Sequence, residues 1–335
     1  MSHLVETIRG RFRGRRVVVV GDVVADQFLH GTIARVSREA PVFILDHDET
    51  DTRAGGAANA AANVVSLGGE PILVGFVGED VNGELLRESL AAAKVGSDRL
   101  VSDNRIRTTT KVRVLAGQQY APRQQVIRID YADRGGISED LLSRLELNFR
   151  DACDGAEAII VSDYNYGATD SRIVAIAREE SRRLGAPLIV DSRFRLVDFQ
   201  DATAATPNQE EVEQILGSGF SPEACESLRE RLGCKALLVT RGNKGMTLFE
   251  KTSEPRHLDA VGSKEPIDVT GAGDTVIGAF ALGLASGCSF YDAATIANHA
   301  GGVVVMKRGT ATVSSDELIS SIQSHPENAS RATRP

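Results

Sequence analysis

The chain has 335 residues, 42% of them hydrophobic and 5% aromatic, enough to bury a large α/β core. Its 46 acidic residues outnumber 38 basic ones for a formal net charge of −8, which argues against a nucleic-acid-binding surface. Four dispersed cysteines without a C-x-x-C pair indicate neither a zinc site nor a disulfide framework, and no apolar run approaches a membrane span, so a soluble cytoplasmic protein with reduced thiols is expected.

At the N-terminus Arg9, Arg11, Arg13, Arg15 and Arg16 crowd together, as on a solvated face or a frayed end. VVVVGD (17–22) then reads as a strand buried on both faces, and Asp22 falls at its carboxyl end, where ligands of open α/β sheets gather. Asp26, four residues on, suits either two adjacent sugar hydroxyls or a turn or capping role. Residues 33–53 alternate without a helical period and suggest strands of a small exposed sheet. In GGAANAAANVVSLGG, Gly55 and Gly56 open an alanine-built helix that carries Asn59 and Asn63 one turn apart. Those amides need partners, either a bound polyol or neighbouring backbone.

PILVGFVG (71–78) predicts the next buried strand and VNGELLRESLAAAKV a helix. Residues 106–115 and 123–130 alternate with strand periodicity and carry Lys111, Arg113, Arg123 and Arg128. With 33–53 they predict a lid of antiparallel strands, spanning about 24–53 and 105–131. Its cations suit an acidic substrate or guard exposed strand edges. From there the βα rhythm is regular: AEAIIVSD ends in Asp163, PLIVD in Asp191, TAATPN leads to Glu210 and Glu211, and CKALLVT ends at Thr240-Arg241-Gly242. Such alternation demands a mostly parallel sheet. GMTLFE and PRHLDAV predict a short antiparallel pair, helices are expected over 272–286 and 289–306, and the tail from about 325 to 335 reads as disordered.

Between that pair and the first of those helices stands DVTGAGDT (268–275). Gly271, Ala272 and Gly273 leave the backbone nearly bare at a helix N-terminus, which makes an anion site. Asp274 beside them reads either as a helix cap or as a general base for a substrate hydroxyl. The glycine spacing does not meet G-x-G-x-x-G, and neither G-x-x-x-x-G-K-[ST] nor G-x-S-x-G occurs, which counts against Rossmann oxidoreductases, P-loop kinases and serine hydrolases.

VVVVGD, GGAANAAAN, SDY, TPNQEE, VTRGNKG and DVTGAGDT occur in the order found in the ribokinase-like (PfkB) carbohydrate kinases, and the chain resembles that family from residue 17 to about 315. VSREAPV, TKVRVL and QQVIRID make it similar to the branch that phosphorylates D-glycero-β-D-manno-heptose 7-phosphate in making the ADP-heptose precursor of lipopolysaccharide. The resemblance implies a ribokinase-like three-layer α/β/α fold over 1–335, with a mostly parallel central sheet and a small inserted β-sheet lid. It implies ATP-dependent transfer to the anomeric hydroxyl, with Asp274 as base and the amides of Gly271, Ala272 and Gly273 on the γ-phosphoryl group. By similarity Asp22, Asp26, Gly55, Gly56 and Asn59 hold the sugar, with Lys111 and Arg128 from the lid. Asn208 and Glu211 organise Mg²⁺ through water, Thr240, Gly242, Asn298 and Arg193 line the nucleotide with Asn208, and Asp268 with Thr270 would touch a monovalent cation such as K⁺. Two positions depart from the branch: Tyr166 in SDYNYG and Arg193 in DSRF stand where lysines are expected. A sugar-binding pseudokinase is the alternative without turnover. A homodimer through the lid is expected, as is a separate nucleotidyltransferase for any adenylylation step.

Overall fold

A computed structural model describes residues 2–118, 123–133, 136–263 and 265–325. Part of AGQQYAP, residues 119–122, and the tail beyond 325 fall outside them. The strands are β1 (Arg16–Gly21), β2 (Val23–Val36), β3 (Phe43–Gly56), β4 (Glu70–Gly78), β5 (Leu100–Asp103), β6 (Thr110–Gly117), β7 (Gln124–Tyr131), β8 (Ala158–Asp163), β9 (Leu188–Ser192), β10 (Ala204–Ala205), β11 (Ala236–Thr240), β12 (Met246–Glu250) and β13 (Ser253–Leu258). The helices are α1 (Ser2–Arg11), α2 (Ala57–Ser66), α3 (Val81–Ala92), α4 (Glu139–Ala152), α5 (Ser171–Leu184), α6 (Gln209–Leu216), α7 (Pro222–Leu232), α8 (Ala272–Ala285), α9 (Phe290–Val304) and α10 (Ser315–Ser324).

The main sheet runs β13-β12-β11-β10-β9-β8-β1-β4-β5 among the described residues, parallel from β11 to β5, with β12 and β13 antiparallel at one edge. The valines of β1 show why. Val17 and Val19 enter a core shared with α1, α2, α3, α8, α9 and α10, whereas Val18 and Val20 enter another shared with α4, α5, α6 and α7. All four valines are at 0% exposure. A strand covered on both faces has no polar side to offer, which is why the run is unbroken in β-branched residues. Helices on both faces of the sheet give the expected three layers.

A second sheet, β3-β2-β6-β7, forms the lid. Its pairings β2/β3 and β6/β7 are antiparallel, but β2 and β6 run parallel, which corrects the expectation of a wholly antiparallel lid. The intervening chain returns through the main sheet, as a parallel pairing requires, because a hairpin cannot join parallel strands. Of the two readings of the N-terminal arginines, the frayed end is corrected and the solvated face holds. Leu4, Val5, Ile8 and Phe12 occupy one helical face and are buried in the core, while Arg9 and Arg11 remain exposed.

Candidate active site

α8 begins at Gly271, whose φ of +74° suits a residue without Cβ; a methyl there would stand 2.5 Å from Asn59 Nδ2. The Ala272 amide closes a turn onto Val269 O at 3.2 Å. Among the described residues, nothing takes the amides of Gly271, Gly273 or Asp274. The open donors therefore differ from the expected trio: Asp274 replaces Ala272, because the turn that shapes the loop consumes the alanine amide. The loop itself is accessible, with Gly273 exposed.

One turn into this helix the Asp274 carboxylate is 2% exposed. Asn59 Nδ2 donates to its Oδ2 at 2.9 Å, and the Tyr164 hydroxyl donates to its Oδ1 at 2.8 Å. Burial pushes the carboxyl up and these two donors pull it partly back, leaving a pKa of about 6. That value suits a base working near neutrality. Asn59 is fixed in turn. Its Oδ1 accepts from Asn63 Nδ2, and Asn63 Oδ1 accepts from the Val313 amide at 3.3 Å. The two asparagines of α2 thus find protein partners, and the amide of Asn59 is directed at the base.

Asp22 and Asp26 sit at the junction of main sheet and lid. Asp22 accepts the amides of Tyr164, Tyr166 and Ala168 at 2.7–3.0 Å, so it shapes the loop after β8; burial holds its pKa above the ordinary value. Asp26 is paired with Arg113 at 2.6 Å in a buried ion pair and also accepts from Thr310 Oγ1. Gly55 is buried against the Asp26 carboxylate and Gly56 against the Asp22 backbone. A methyl on Gly55 would meet Asp26 Oδ2 at 2.6 Å, and one on Gly56 would meet the Asp22 carbonyl at 2.5 Å. Lys111 of β6 is 7% exposed, its ammonium 4.6 Å from the Tyr164 ring and 5.5 Å from the Tyr166 ring. Arg128 lies on β7 and pairs with Asp130, farther out.

Asn208 and Glu211 form a capping box at the start of α6: Asn208 Oδ1 accepts the Glu211 amide and Glu211 Oε2 accepts the Asn208 amide, both at 2.9 Å. Thr240 bridges to Asn208, and Gly242 opens the turn after β11 with φ +56°. Asn298 is buried on α9 and donates to Asp259 O at 2.7 Å, so its amide is held by protein. Burial pushes the carboxyls of Glu211 and Asp191 above their ordinary range, and Glu211 raises Asp191 further, while the Arg193 guanidinium opposes both. An ideal Cβ on Gly273 would stand 4.0 Å from Asp191 Oδ2, so the Asp191 carboxylate faces the anion loop. Asp268 accepts the amides of Thr270 at 2.9 Å and Gly309 at 2.8 Å, which outweigh burial and hold its pKa below the usual value.

The sequence reading left Tyr164, Asp191 and Thr310 without a role and took Arg113 only as one of the lid cations, not as the partner of Asp26. Tyr164 and Asp191 end the runs VSDY and PLIVD, where polar residues at strand carboxyl ends were the available signal. Arg113 shares a strand face with Lys111, two residues apart. Thr310 had no signal, since it reaches Asp26 only through a contact 284 residues distant in sequence.

A profile of the pfkB family carbohydrate kinases matches residues 15–317. The chain is 35% identical over 95% of its length to the bifunctional protein HldE of Pelobacter propionicus, and 40% identical over 94% to that of Methylococcus capsulatus. It spans 65% of the length of each of these relatives. Its fold is similar to that of Arabidopsis thaliana ribokinase, solved with ribose and ATP, at a TM-score of 0.71, 22% identity and coverage of 93% of this chain and 99% of that one. Among the described residues no helix is long and apolar enough to cross a membrane. The chain belongs to the pfkB family of carbohydrate kinases, a phosphotransferase with a sugar hydroxyl as acceptor.

Proposed function

We propose that this kinase transfers the γ-phosphoryl group of ATP to the anomeric hydroxyl of D-glycero-β-D-manno-heptose 7-phosphate, giving the 1,7-bisphosphate. The observation that carries the mechanism is the placement of one buried, doubly anchored carboxylate, Asp274, beside open amides at a helix N-terminus. The carboxylate accepts the proton of the attacking hydroxyl while the amides of Gly271, Gly273 and Asp274 face the charge on the transferring group. Phosphoryl transfer asks mainly for positioning and charge stabilisation, and both are built into this loop. The heptose assignment rests on the sequence resemblance in VSREAPV, TKVRVL, QQVIRID and DVTGAGDT.

The divalent ion fits two carboxylates whose charges oppose each other, Asp191 and Glu211. Among the described residues no group of three or more His, Cys, Asp or Glu could hold a metal. Mg²⁺ suits such a sparse seat, since it keeps most of its waters and takes phosphate oxygens. When bound, it neutralises charge on the polyphosphate. Asp191 and Glu211 would hold it, Asn208 would fix Glu211 through the capping box, and Arg193 would supply the cation that the missing lysines do not. Each oxygen of Asp268 holds one backbone amide, and no step is assigned to a monovalent cation there.

The outer lid supports assembly with a second copy. Every residue of β7 is exposed, including Val126, Ile127, Ile129 and Tyr131, and an uncovered apolar strand seeks a partner. Sedimentation at micromolar concentration would read a dimer; a monomer would overturn this part. ADP release over a panel of heptose 7-phosphate, fructose phosphates, ribose and nucleosides tests the substrate. Preference for the heptose supports the assignment, and turnover favouring another sugar replaces it.

A further inference from the structure

Tyr164 is placed where two parts of the molecule meet. It follows β8 directly, its backbone amide donates to Asp22 at 2.7 Å, and its hydroxyl donates to Asp274 Oδ1 at 2.8 Å. The face of its ring carries the ammonium of Lys111, 4.6 Å from the centroid, a cation contributed by lid strand β6. Lys111 is 93% removed from solvent, yet among the described residues its ammonium makes no hydrogen bond or ion pair. A desolvated cation over an aromatic face is an attraction worth more than the same contact in water. The rings of Tyr164 and Tyr166 therefore form the seat on which this part of the lid rests.

We propose that Tyr164 is a positioning residue that couples the lid to the general base: Lys111 docks on its ring, and its hydroxyl sets the orientation of the Asp274 carboxylate. The proposal rests on the kinase reading of Asp274. Each oxygen of that carboxylate has one fixed donor, Tyr164 on one side and Asn59 on the other. A carboxylate oxygen accepts more than one hydrogen bond, so both remain able to receive the substrate hydroxyl. Of the two donors, Asn59 is locked from within α2 and does not depend on the lid, whereas Tyr164 touches the lid directly. Burial and the nearby carboxylates of Asp274 and Asp191 keep the phenol protonated, so it stays a donor. When the lid is displaced, Lys111 leaves the ring and the tyrosine loses the contact that restrains its swing. A base aligned only under a seated lid also limits loss of phosphoryl groups to water when no sugar is bound.

The test is a double-mutant cycle with Tyr164→Phe, Lys111→Met and the pair, measured as ADP release with heptose 7-phosphate and ATP varied separately, alongside melting temperatures. Tyr164→Phe keeps the buried ring and removes only the donor. Loss of a hydrogen bond to a charged group should lower kcat by about tenfold to a hundredfold and leave the KM for ATP unchanged. Lys111→Met should lower kcat as well, and the double variant should fall by clearly less than the product of the two single effects. A kcat for Tyr164→Phe within about twofold of the parent, or independent effects in the pair, would overturn the proposal. If Tyr164→Phe melts several degrees lower, its kcat is read at a temperature where both proteins are fully folded, and a value there within about twofold of the parent still overturns the proposal. Asp274→Asn in the same series separates the two readings. If it retains turnover the base itself is misassigned, whereas if it is inactive while Tyr164→Phe is normal, only the coupling fails.

Discussion

Asp274→Asn tests function and stability together, with opposite expected signs. The folded protein raises this carboxyl from 3.8 to about 6. At 1.36 kcal/mol per unit, holding the ion in its buried place costs the native state roughly 3 kcal/mol at neutral pH. The neutral amide escapes that cost, but it faces two donors, Asn59 Nδ2 and the Tyr164 hydroxyl. The hydroxyl can turn to accept, so the mismatch costs about 1 kcal/mol. The variant should therefore be about 2 kcal/mol more stable at pH 7.5 and melt roughly 3 °C higher. A folded pKa above the unfolded one gives stability that is present below about pH 4 and lost as pH rises through about 6. The advantage should accordingly vanish in melts at pH 4. Turnover, followed by ADP release, should fall at least about a hundredfold. A variant that turns over within about tenfold of the parent would refute the base assignment, and one that melts lower at pH 7.5 would refute the burial argument.

The pH profile offers a second check: with an unphosphorylated acceptor, whose own ionisation is silent, log kcat/KM should decline with unit slope below about pH 6, because only ionised Asp274 takes a proton. A flat profile from pH 5 to 8 would contradict it. Gly271→Ala places a methyl 2.5 Å from Asn59 Nδ2 at a backbone φ of +74°, so activity should drop at least about tenfold as the Asn59 amide leaves the base, while sugar and ATP KM change less. Glu211→Gln should raise the Mg²⁺ concentration needed for half-maximal rate severalfold with the fold intact, since glutamine preserves the capping box acceptor; an unchanged Mg²⁺ response would remove Glu211 from the metal seat.

The fold was legible wherever burial imposed a pattern. VVVVGD, AEAIIVSD and PLIVD announced strands covered on both faces, and they pair side by side in the parallel sheet. The direction of β6 was not legible, because alternation along a strand says nothing about the polarity of its neighbour. At the N-terminus the spacing of Leu4, Val5, Ile8 and Phe12 carried the helix, but the dense arginines drew the reading toward a solvated end. In the site, the octet located Asp274 and the bare loop. It could not show that Asn59, 215 positions away, turns its amide onto that carboxylate, or that Asn298 serves Asp259. Such contacts are decided by how helices pack across the sheet, and no local period encodes them.

A crystal structure with heptose 7-phosphate and a non-hydrolysable Mg·ATP analogue bears most directly on the mechanism. The account predicts the anomeric oxygen within hydrogen-bond distance of Asp274 and the terminal phosphoryl oxygens on the amides of Gly271 and Gly273. A complex in which the phosphoryl group lies away from that loop, or the sugar hydroxyl contacts some other base, would contradict it.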